Sequence, residues 1–157
     1  MKIAIGCDEA ALDLKEALRE YLAQQQAVAV EVKDFGVYDR NPVDYPDIAE
    51  QVAQAVAAGD FDRGILLCGT GIGMAIAANK VPGIRAAQCH DPYSAERARK
   101  SNNAQILTMG ARVVAPELAK IIVEHWLPSE FAGGGSTRKV KKIMEIETRH
   151  ARRPDQV

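Results

Sequence analysis

A cysteine followed at once by a glycine-rich turn is the part of this chain best equipped for chemistry. Cys68 ends the apolar run 64–68, and the turn 69–73, GTGIG, leads into a helix-like segment at 74–80. A strand that passes through such a turn into a helix makes a cradle of backbone N–H groups for an anion. A thiol at the rim of that cradle lies where the helix dipole favours its thiolate. A base beside an anion hole can move a proton next to a carbonyl group.

Both features also have simpler interpretations. The turn is not a Walker A motif, because no GK[ST] occurs, nor a clean dinucleotide fingerprint, because Met74 stands at the third glycine position. It could be a tight structural turn alone. A lone cysteine is more often a small buried hydrophobe than a base, and the place of Cys68 at a strand end brings the two interpretations level. Cys7 and Cys89 are weaker candidates that could simply pack.

Polar side chains follow other apolar runs as well. Asp8 either caps the next helix or accepts a hydrogen bond from a ligand hydroxyl, and Glu9 is a first-turn carboxylate facing the same crevice. The pair His90-Asp91 favours a cap with a satisfied histidine over a place in the site. Asn102 either caps a helix end or reaches the ligand. Arg112 forms a surface ion pair or binds a phosphate.

Strand-like apolar runs alternate with amphipathic helical segments along the chain. The predicted strands are Ile3–Gly6, Val28–Val32, Arg63–Cys68, Gly83–Gln88 and Gln105–Met109. Helices are predicted around 14–22, 48–56, 74–80, 92–101, 118–125 and, after a glycine hinge at 133–135, around 140–144. This alternation predicts an α/β fold, a Rossmann-like doubly wound five-stranded parallel sheet in three layers. Ligands of such folds bind beyond the carboxyl ends of the strands, so we expect the chemistry at 7–9, 68–73, 90–91 and 110–112.

Length and composition limit what the chain can be. We predict one domain over residues 1–148 of the 157, followed by a polar tail over 149–157 that we expect to be disordered. The net charge of −1 gives no reason to expect nucleic acid or a membrane as a partner. No apolar run approaches the ~20 residues that span a bilayer, and no signal-peptide pattern precedes the first strand. The three cysteines form no zinc or CxxC spacing, so we expect reduced thiols in a cytoplasmic protein.

Several sequence blocks together resemble a known enzyme family. They are DYPD at 44–47, CGTGIGM at 68–74, AANK at 77–80, GIRAA at 83–87 and GARV at 110–113. Their order and spacing resemble the type B ribose-5-phosphate isomerase and galactose-6-phosphate isomerase family over about residues 1–146. The resemblance implies a homodimer with active sites at the subunit interface, and it leaves open whether two dimers pair into a tetramer. It also implies that a phosphorylated aldose and ketose are interconverted through a cis-enediolate, without a metal or another cofactor.

The resemblance gives a role to each matching position. Cys68 matches the catalytic base, and Thr70 matches part of the hole that stabilises the enediolate. Asp8 matches the carboxylate that holds substrate hydroxyls. A hydroxyl proton must also move between O1 and O2, and either Asp8 or Thr70 is a candidate to assist that step. The residues expected to bind substrate are Glu9, Tyr45, Gly69, Gly71, Ile72, Gly73, Asn102, Arg112, Arg138 and Lys139.

Four positions depart from the family pattern. Glu9 and Ser101 stand where the family usually has histidines, and the second of those histidines opens the furanose ring of the sugar. Gly135 and Lys139 stand where the family has phosphate-binding arginines. A lysine keeps the charge but loses the bidentate fork, and Glu9 would repel a phosphate.

These departures predict an isomerase for a substrate without a ring. A tetrose 4-phosphate cannot close a furanose because its O4 carries the phosphate, and its phosphate lies nearer the reacting carbons. We therefore expect interconversion of D-erythrulose 4-phosphate and D-erythrose 4-phosphate. Two alternatives stay open at this point: an ordinary ribose-5-phosphate isomerase, and a non-catalytic sugar-phosphate-binding subunit that partners another chain.

Overall fold

Five parallel strands form one sheet in the order β2-β1-β3-β5-β4. The computed structural model of the protein describes residues 1–26 and 28–151. The strands are β1 Lys2–Cys7, β2 Glu31–Asp34, β3 Arg63–Cys68, β4 Ala86–Gln88 and β5 Ile106–Gly110. The helices are α1 Leu12–Ala23, α2 Tyr45–Ala57, α3 Ile72–Ala78, α4 Pro92–Asn102, α5 Pro116–Trp126 and α6 Gly135–His150. A short 3₁₀ turn, Glu9–Ala11, joins β1 to α1.

Helices cover both faces of the sheet, which explains why its central strands are apolar throughout. Ile3 and Ile5 of β1 belong to the cluster on the face of α1, α4 and α5, whereas Ala4 and Leu66 belong to the cluster on the face of α2 and α3. All six residues of β3 are buried. The predicted α/β fold, with a five-stranded parallel sheet between two helical layers, is therefore confirmed.

The parallel register brings the predicted chemistry to one edge. Cys7 at the end of β1 lies opposite Leu67, and Cys68 at the end of β3 lies opposite Gly110 of β5. From β1 the chain moves outward to β2 and then crosses back to β3, so the strand order reverses between β1 and β3. The carboxyl ends of two such strands bound a crevice in which doubly wound folds bind ligands.

A buried lysine fixes the segment that follows β2. Lys15 of α1 is completely buried, and its Nζ lies 2.9 and 2.8 Å from the two carboxylate oxygens of Asp34. The backbone then continues along β1, where Cys7 N donates to Gly36 O at 2.7 Å. The Lys15–Asp34 pair therefore holds the backbone that flanks the point at which Asp8 leaves β1.

The chain after α5 is attached at the opposite edge, beside the amino ends of the strands. Ala132 N donates to Lys100 O in the last turn of α4 at 3.1 Å. Glu147 of α6 accepts a hydrogen bond from Gly83 N, just before β4, at 3.0 Å. Both the start and the second half of α6 therefore lie beside the amino ends of the strands. None of its residues is fully buried.

The predicted boundaries of β2, β4 and the last helix are among those that differ from the structure. β2 covers 31–34 rather than 28–32, because its pairing with β1 begins at Glu31 opposite Lys2. β4 covers 86–88 rather than 83–88; Gly83 has a φ of 86°, which no extended strand contains. α6 continues through His150, so Arg149 and His150 are helical rather than part of the predicted tail. Residues 152–157 of that tail lie outside the described residues.

Within the part of the chain that the structure describes, no helix is long and apolar enough to cross a membrane.

Candidate active site

The Cys68 sulfur accepts a hydrogen bond from the turn that follows it. Gly71 N donates to Sγ at 3.0 Å, and Cys68 is 5 % exposed. Gly71 has a left-handed φ of 78°, and a Cβ there would lie 2.8 Å from the backbone of Met109. A glycine is required at this position both by the φ and by the close approach to β5. The sequence motif is therefore a folded cradle around the sulfur.

The carbonyl oxygens of the turn are hydrogen-bonded to the neighbouring strands and the loop after β5. Those of Cys68 and Gly69 accept from the backbone N–H groups of residues 111 and 112, at 2.9 and 3.0 Å. Thr70 O accepts from Gln88 Nε2 at 2.6 Å, and Gly71 O accepts from the buried Thr108 hydroxyl at 2.9 Å. In a trans peptide the N–H points away from the C=O. These bonds therefore turn the N–H groups of 69–72 away from the partners of the carbonyls. The N–H of Gly71 meets Cys68 Sγ and that of Ile72 meets Thr70 Oγ1 at 3.3 Å, which leaves the N–H groups of residues 69 and 70 as the candidate donors of an anion hole.

Asp8 and Glu9 place two carboxylates at the same edge. Asp8 Oδ1 accepts from Ala10 N at 3.1 Å, so the capping interpretation of Asp8 is confirmed. Glu9 Oε2 accepts from Val43 N at 3.2 Å, which ties Glu9 to the loop before α2. Burial, and then the charge of Glu9, raise the pKa of Asp8 above its ordinary value. Negative charge therefore gathers beside the end of β1.

Arg112 supplies positive charge at this edge. A Cβ built on Gly69 would lie 3.5 Å from Cδ, Nε and Cζ of Arg112, so the arginine side chain lies over the glycine turn. Its charge also reaches Asp8, where it opposes the burial that raises the pKa of that carboxyl. Arg112 is exposed, and an exposed guanidinium over a turn of backbone N–H groups can accept an anionic group from solvent.

Tyr45 closes the crevice on the side of α2. It is the first residue of α2, and a Cβ on Gly73 would lie 2.5 Å from two carbons of its ring. The ring therefore rests directly on Gly73 in the first turn of α3. Ile72 beside it is 52 % exposed. The structure thus brings together the turn, Tyr45, the acidic pair and Arg112, as predicted.

The other two thiols at this edge keep their protons, and a ring nitrogen of the histidine is hydrogen-bonded to the backbone. Desolvation by burial raises the pKa values of Cys7 and Cys89 to about 11, so both are neutral thiols at physiological pH. His90 Nε2 accepts a hydrogen bond from Gly110 N at 3.0 Å and is therefore the unprotonated ring nitrogen. Asp91 caps α4 by accepting from Ser94 N at 2.7 Å. The simpler interpretations of this pair and of the two cysteines are confirmed.

Asn102, Arg138 and Lys139 lie at the opposite edge from Cys68 within one chain. Asn102 is the last residue of α4. Three residues later, Gln105 O accepts a hydrogen bond from Gly64 N, near the start of β3, at 3.0 Å, so Asn102 lies near the amino ends of the strands. The two basic residues lie in the first half of α6, beside the same edge. β3 has six residues, and at ~3.3 Å per residue its ends are about 17 Å apart. One chain therefore does not bring these three residues to Cys68.

The family of the chain follows from comparison with known proteins. A family model described as Ribose/Galactose Isomerase matches residues 3–143. The chain belongs to this family. It is 59 % identical over 143 residues to the D-erythrulose-4-phosphate isomerase of Pectobacterium atrosepticum, covering 91 % of this chain and 93 % of that one. It is 55 % identical over 150 residues to the ribose-5-P isomerase B of Listeria innocua, covering 96 % and 99 %.

A solved structure agrees with these relatives. The ribose-5-phosphate isomerase B of Clostridium thermocellum superposes with a TM-score of 0.92 at 48 % identity, over 96 % of this chain and all of that one. The chain is therefore a sugar-phosphate isomerase that interconverts an aldose and a ketose. Family membership favours an enzyme over the non-catalytic subunit considered from the sequence.

Three residues that support the candidate site were not predicted from the sequence. Gln88 and Thr108 bond the carbonyl oxygens of the turn, and Val43 holds Glu9 through its backbone N–H. Gln88 could have been found, because it is the last residue of a predicted strand and all strands end at this edge. Thr108 lies inside a strand, and the bond of Val43 uses no side chain, so neither carried a signal.

Proposed function

We propose that this isomerase interconverts D-erythrulose 4-phosphate and D-erythrose 4-phosphate through a cis-enediolate. The observation that carries the choice of substrate is the state of His90. Of the three histidines in the chain, His90 is the one that follows a strand at this edge, and its Nε2 is occupied by Gly110 N–H. A furanose needs an acid and a base to open its ring, whereas a tetrose 4-phosphate is already open.

Ser101 supports the same choice. It stands where the family usually has the ring-opening histidine, and its hydroxyl is bonded by the guanidinium of Arg97. A serine hydroxyl does not exchange a proton near neutral pH as an imidazole does. The 59 % identity to a relative named for erythrulose 4-phosphate points in the same direction. Ribose 5-phosphate is the second candidate, because the Listeria innocua relative is named for it at 55 % identity.

The reaction proposed for the site begins with proton removal by Cys68. Its thiolate takes the proton from the carbon beside the carbonyl, since the sulfur lies at the end of β3 against the N–H of Gly71. The turn donors, with Thr70, stabilise the enediolate oxygens, and losing one such donor typically costs about 3 kcal/mol in the barrier. The sulfur then returns the proton to the neighbouring carbon, which converts the ketose into the aldose.

Asp8 is proposed to hold the substrate hydroxyls and to assist proton transfer between O1 and O2. One carboxylate oxygen is engaged by Ala10 N, which leaves the second carboxylate oxygen for the substrate. Burial raises the pKa of Asp8, and a carboxyl with a raised pKa accepts and returns a proton more readily near neutral pH than an ordinary aspartate does. Arg112 is proposed to bind the phosphate of the short substrate.

We further propose a homodimer in which each site draws residues from both subunits. Asn102, Arg138 and Lys139 lie at the opposite edge of the sheet from Cys68. The two ends of β3 are about 17 Å apart, farther than a tetrose phosphate reaches with five bonds of about 1.5 Å each. A second copy can present its opposite edge to the Cys68 edge of the first. The cytoplasmic setting predicted from the three free cysteines is part of this proposal.

A turnover panel tests the substrate. Purified protein is assayed with erythrulose 4-phosphate, ribose 5-phosphate, allose 6-phosphate and galactose 6-phosphate, with enzyme-coupled detection of each product. We expect kcat/KM for erythrulose 4-phosphate to exceed the others by at least tenfold. A preference for ribose 5-phosphate would refute the choice made from His90 and Ser101, and would support the second candidate.

A further inference from the structure

We propose that Gln88 is a positioning residue for Cys68, acting through the peptide that joins Thr70 to Gly71. The proposal rests on Cys68 being the base of the proposed function. Gln88 does not contact the sulfur: its Nε2 donates to Thr70 O at 2.6 Å, while the N–H of the same peptide, that of Gly71, donates to Cys68 Sγ at 3.0 Å. The amide side chain and the sulfur therefore bond opposite ends of one peptide group.

Two hydrogen bonds in series through one peptide strengthen each other. A donor at the carbonyl oxygen withdraws electron density from the peptide and makes its N–H a better donor, with gains of about a tenth to a third per bond in condensed phases. The N–H to sulfur bond is stronger when the sulfur is charged, because hydrogen bonds to ionised groups are about twice as strong as neutral ones. The bond from Gln88 therefore favours the thiolate over the thiol.

The position of Gln88 in the fold supports a role at the turn rather than in the core. It is the last residue of the three-residue strand β4, its side chain is exposed, and its backbone lies opposite Thr108 of β5. Thr108 bonds the next carbonyl, that of Gly71, at 2.9 Å. Since two adjacent carbonyls of the turn are fixed from the strands, the intervening N–H of Gly71 has one direction in which to point, and Cys68 Sγ lies there.

Replacing Gln88 tests this through the ionisation of the sulfur. Gln88→Met keeps the length of the side chain without the donor, and Gln88→Asn keeps an amide that is one methylene too short. The chain offers a matched control: Gln105 Nε2 also donates to a backbone carbonyl, Gly83 O, at 2.8 Å, but at the opposite edge of the sheet. Gln105→Met removes the same kind of bond, together with the one that Gln105 Oε1 accepts from Arg85 N at 2.9 Å, without touching the turn.

The readout is the pH midpoint of thiolate formation at Cys68. It is measured by thiolate absorbance near 240 nm, with Cys68→Ser subtracted, and by the rate of iodoacetamide labelling of the Cys68 peptide in mass spectrometry. Cys7 and Cys89 do not interfere, because their pKa values are about 11. Far-ultraviolet circular dichroism confirms that each variant is folded.

We expect the midpoint to move up by about half a pH unit in both Gln88 variants and to stay in place in Gln105→Met. The acid limb of the kcat/KM profile for erythrulose 4-phosphate moves by the same amount in the Gln88 variants. A midpoint that moves by less than about 0.2 unit, or moves down, overturns the positioning role. Since the midpoint needs no substrate, a shifted midpoint in a protein that turns over none of the four sugars would refute the proposed function and leave the positioning role standing.

Discussion

Mixing two inactive variants should restore activity if the site is shared between two copies of the chain. The first variant is Cys68→Ala, which removes the base at the carboxyl end of β3. The second combines Arg138→Ala with Lys139→Ala, which removes positive charge from the first half of α6 at the opposite edge. Each alone should lose most of its activity with erythrulose 4-phosphate. In a mixed dimer, one of the two sites receives an intact Cys68 from one chain and intact basic residues from the other.

The expected recovery follows from the geometry. Two-fold symmetry makes the two sites of a homodimer equivalent, and about 17 Å between the ends of β3 prevents one chain from supplying both sets of residues to one site. With equal amounts and random pairing, about half the dimers are mixed and each has one intact site. About a quarter of the parent activity should therefore return.

The assay is coupled turnover after the two variants are co-expressed with different tags, with each variant alone as background. The matched control mixes Cys68→Ala with Asp8→Asn. Asp8 follows β1 and Cys68 ends the adjacent strand β3, at one edge of the same chain. Every mixed dimer then has two damaged sites, and no activity should return. Recovery in the control, or none in the test mixture while mixed dimers are shown to form, would refute the shared site.

Three further outcomes follow from the structure. Cys68→Ala should reduce kcat by more than a thousandfold. Cys7→Ala should keep catalysis, because burial raises the pKa of the Cys7 thiol to about 11 and the thiol is protonated at neutral pH. Steady-state kinetics on the folded variants measures both effects. Arg63→Met should lower the free energy of unfolding in urea by about 3 kcal/mol, since it leaves buried carbonyls such as Leu127 O without their donor, while the exposed Arg40→Met changes it little. Hydrogen bonds from Ser94 lower the pKa of Asp91 below its ordinary value of 3.8, so its stabilisation is complete above the unfolded pKa and is lost as pH falls through the folded one. The melting temperature of the parent should therefore fall more between about pH 5 and pH 3 than that of Asp91→Asn.

Most of the fold followed from the sequence because parallel strands covered on both faces leave a strong apolar signal. Arg63–Cys68 matched residue for residue, since all of β3 is buried. The outer strands were less well predicted. β2 is half exposed and its start is set by pairing with β1 rather than by its own residues, so the apolar run at 28–32 placed it three residues early.

The placement of the candidate site residues followed from the sequence only in part. Cys68, Asp8 and Arg112 came together as expected, because the rule that parallel strands end at one edge needs only the strand order along the chain. Asn102 ends a helix between two parallel strands, so the same rule places it at the opposite edge from Cys68; its expected place in the site came from the resemblance and not from the topology. The bond from Gln88 to Thr70 O joins residues 18 apart in sequence, and it depends on β4 and β5 lying side by side.

The positions at which the sequence analysis expects this chain to depart from its family are not spread evenly over the two edges. Ser101, Gly135 and Lys139 lie at the amino edge or at the start of α6, while Cys68 and its turn keep the family pattern at the carboxyl edge. If the carboxyl edge performs the proton transfer and the amino edge of a second copy holds the far end of the sugar, this distribution alters substrate length and ring opening without altering the chemistry. Glu9, the one departure at the carboxyl edge, adds negative charge beside Asp8 and so keeps a phosphate away from that end of the crevice. The phosphate, which a four-carbon substrate carries close to the reacting carbons, is then held between Arg112 over the glycine turn and the basic residues that the second copy presents.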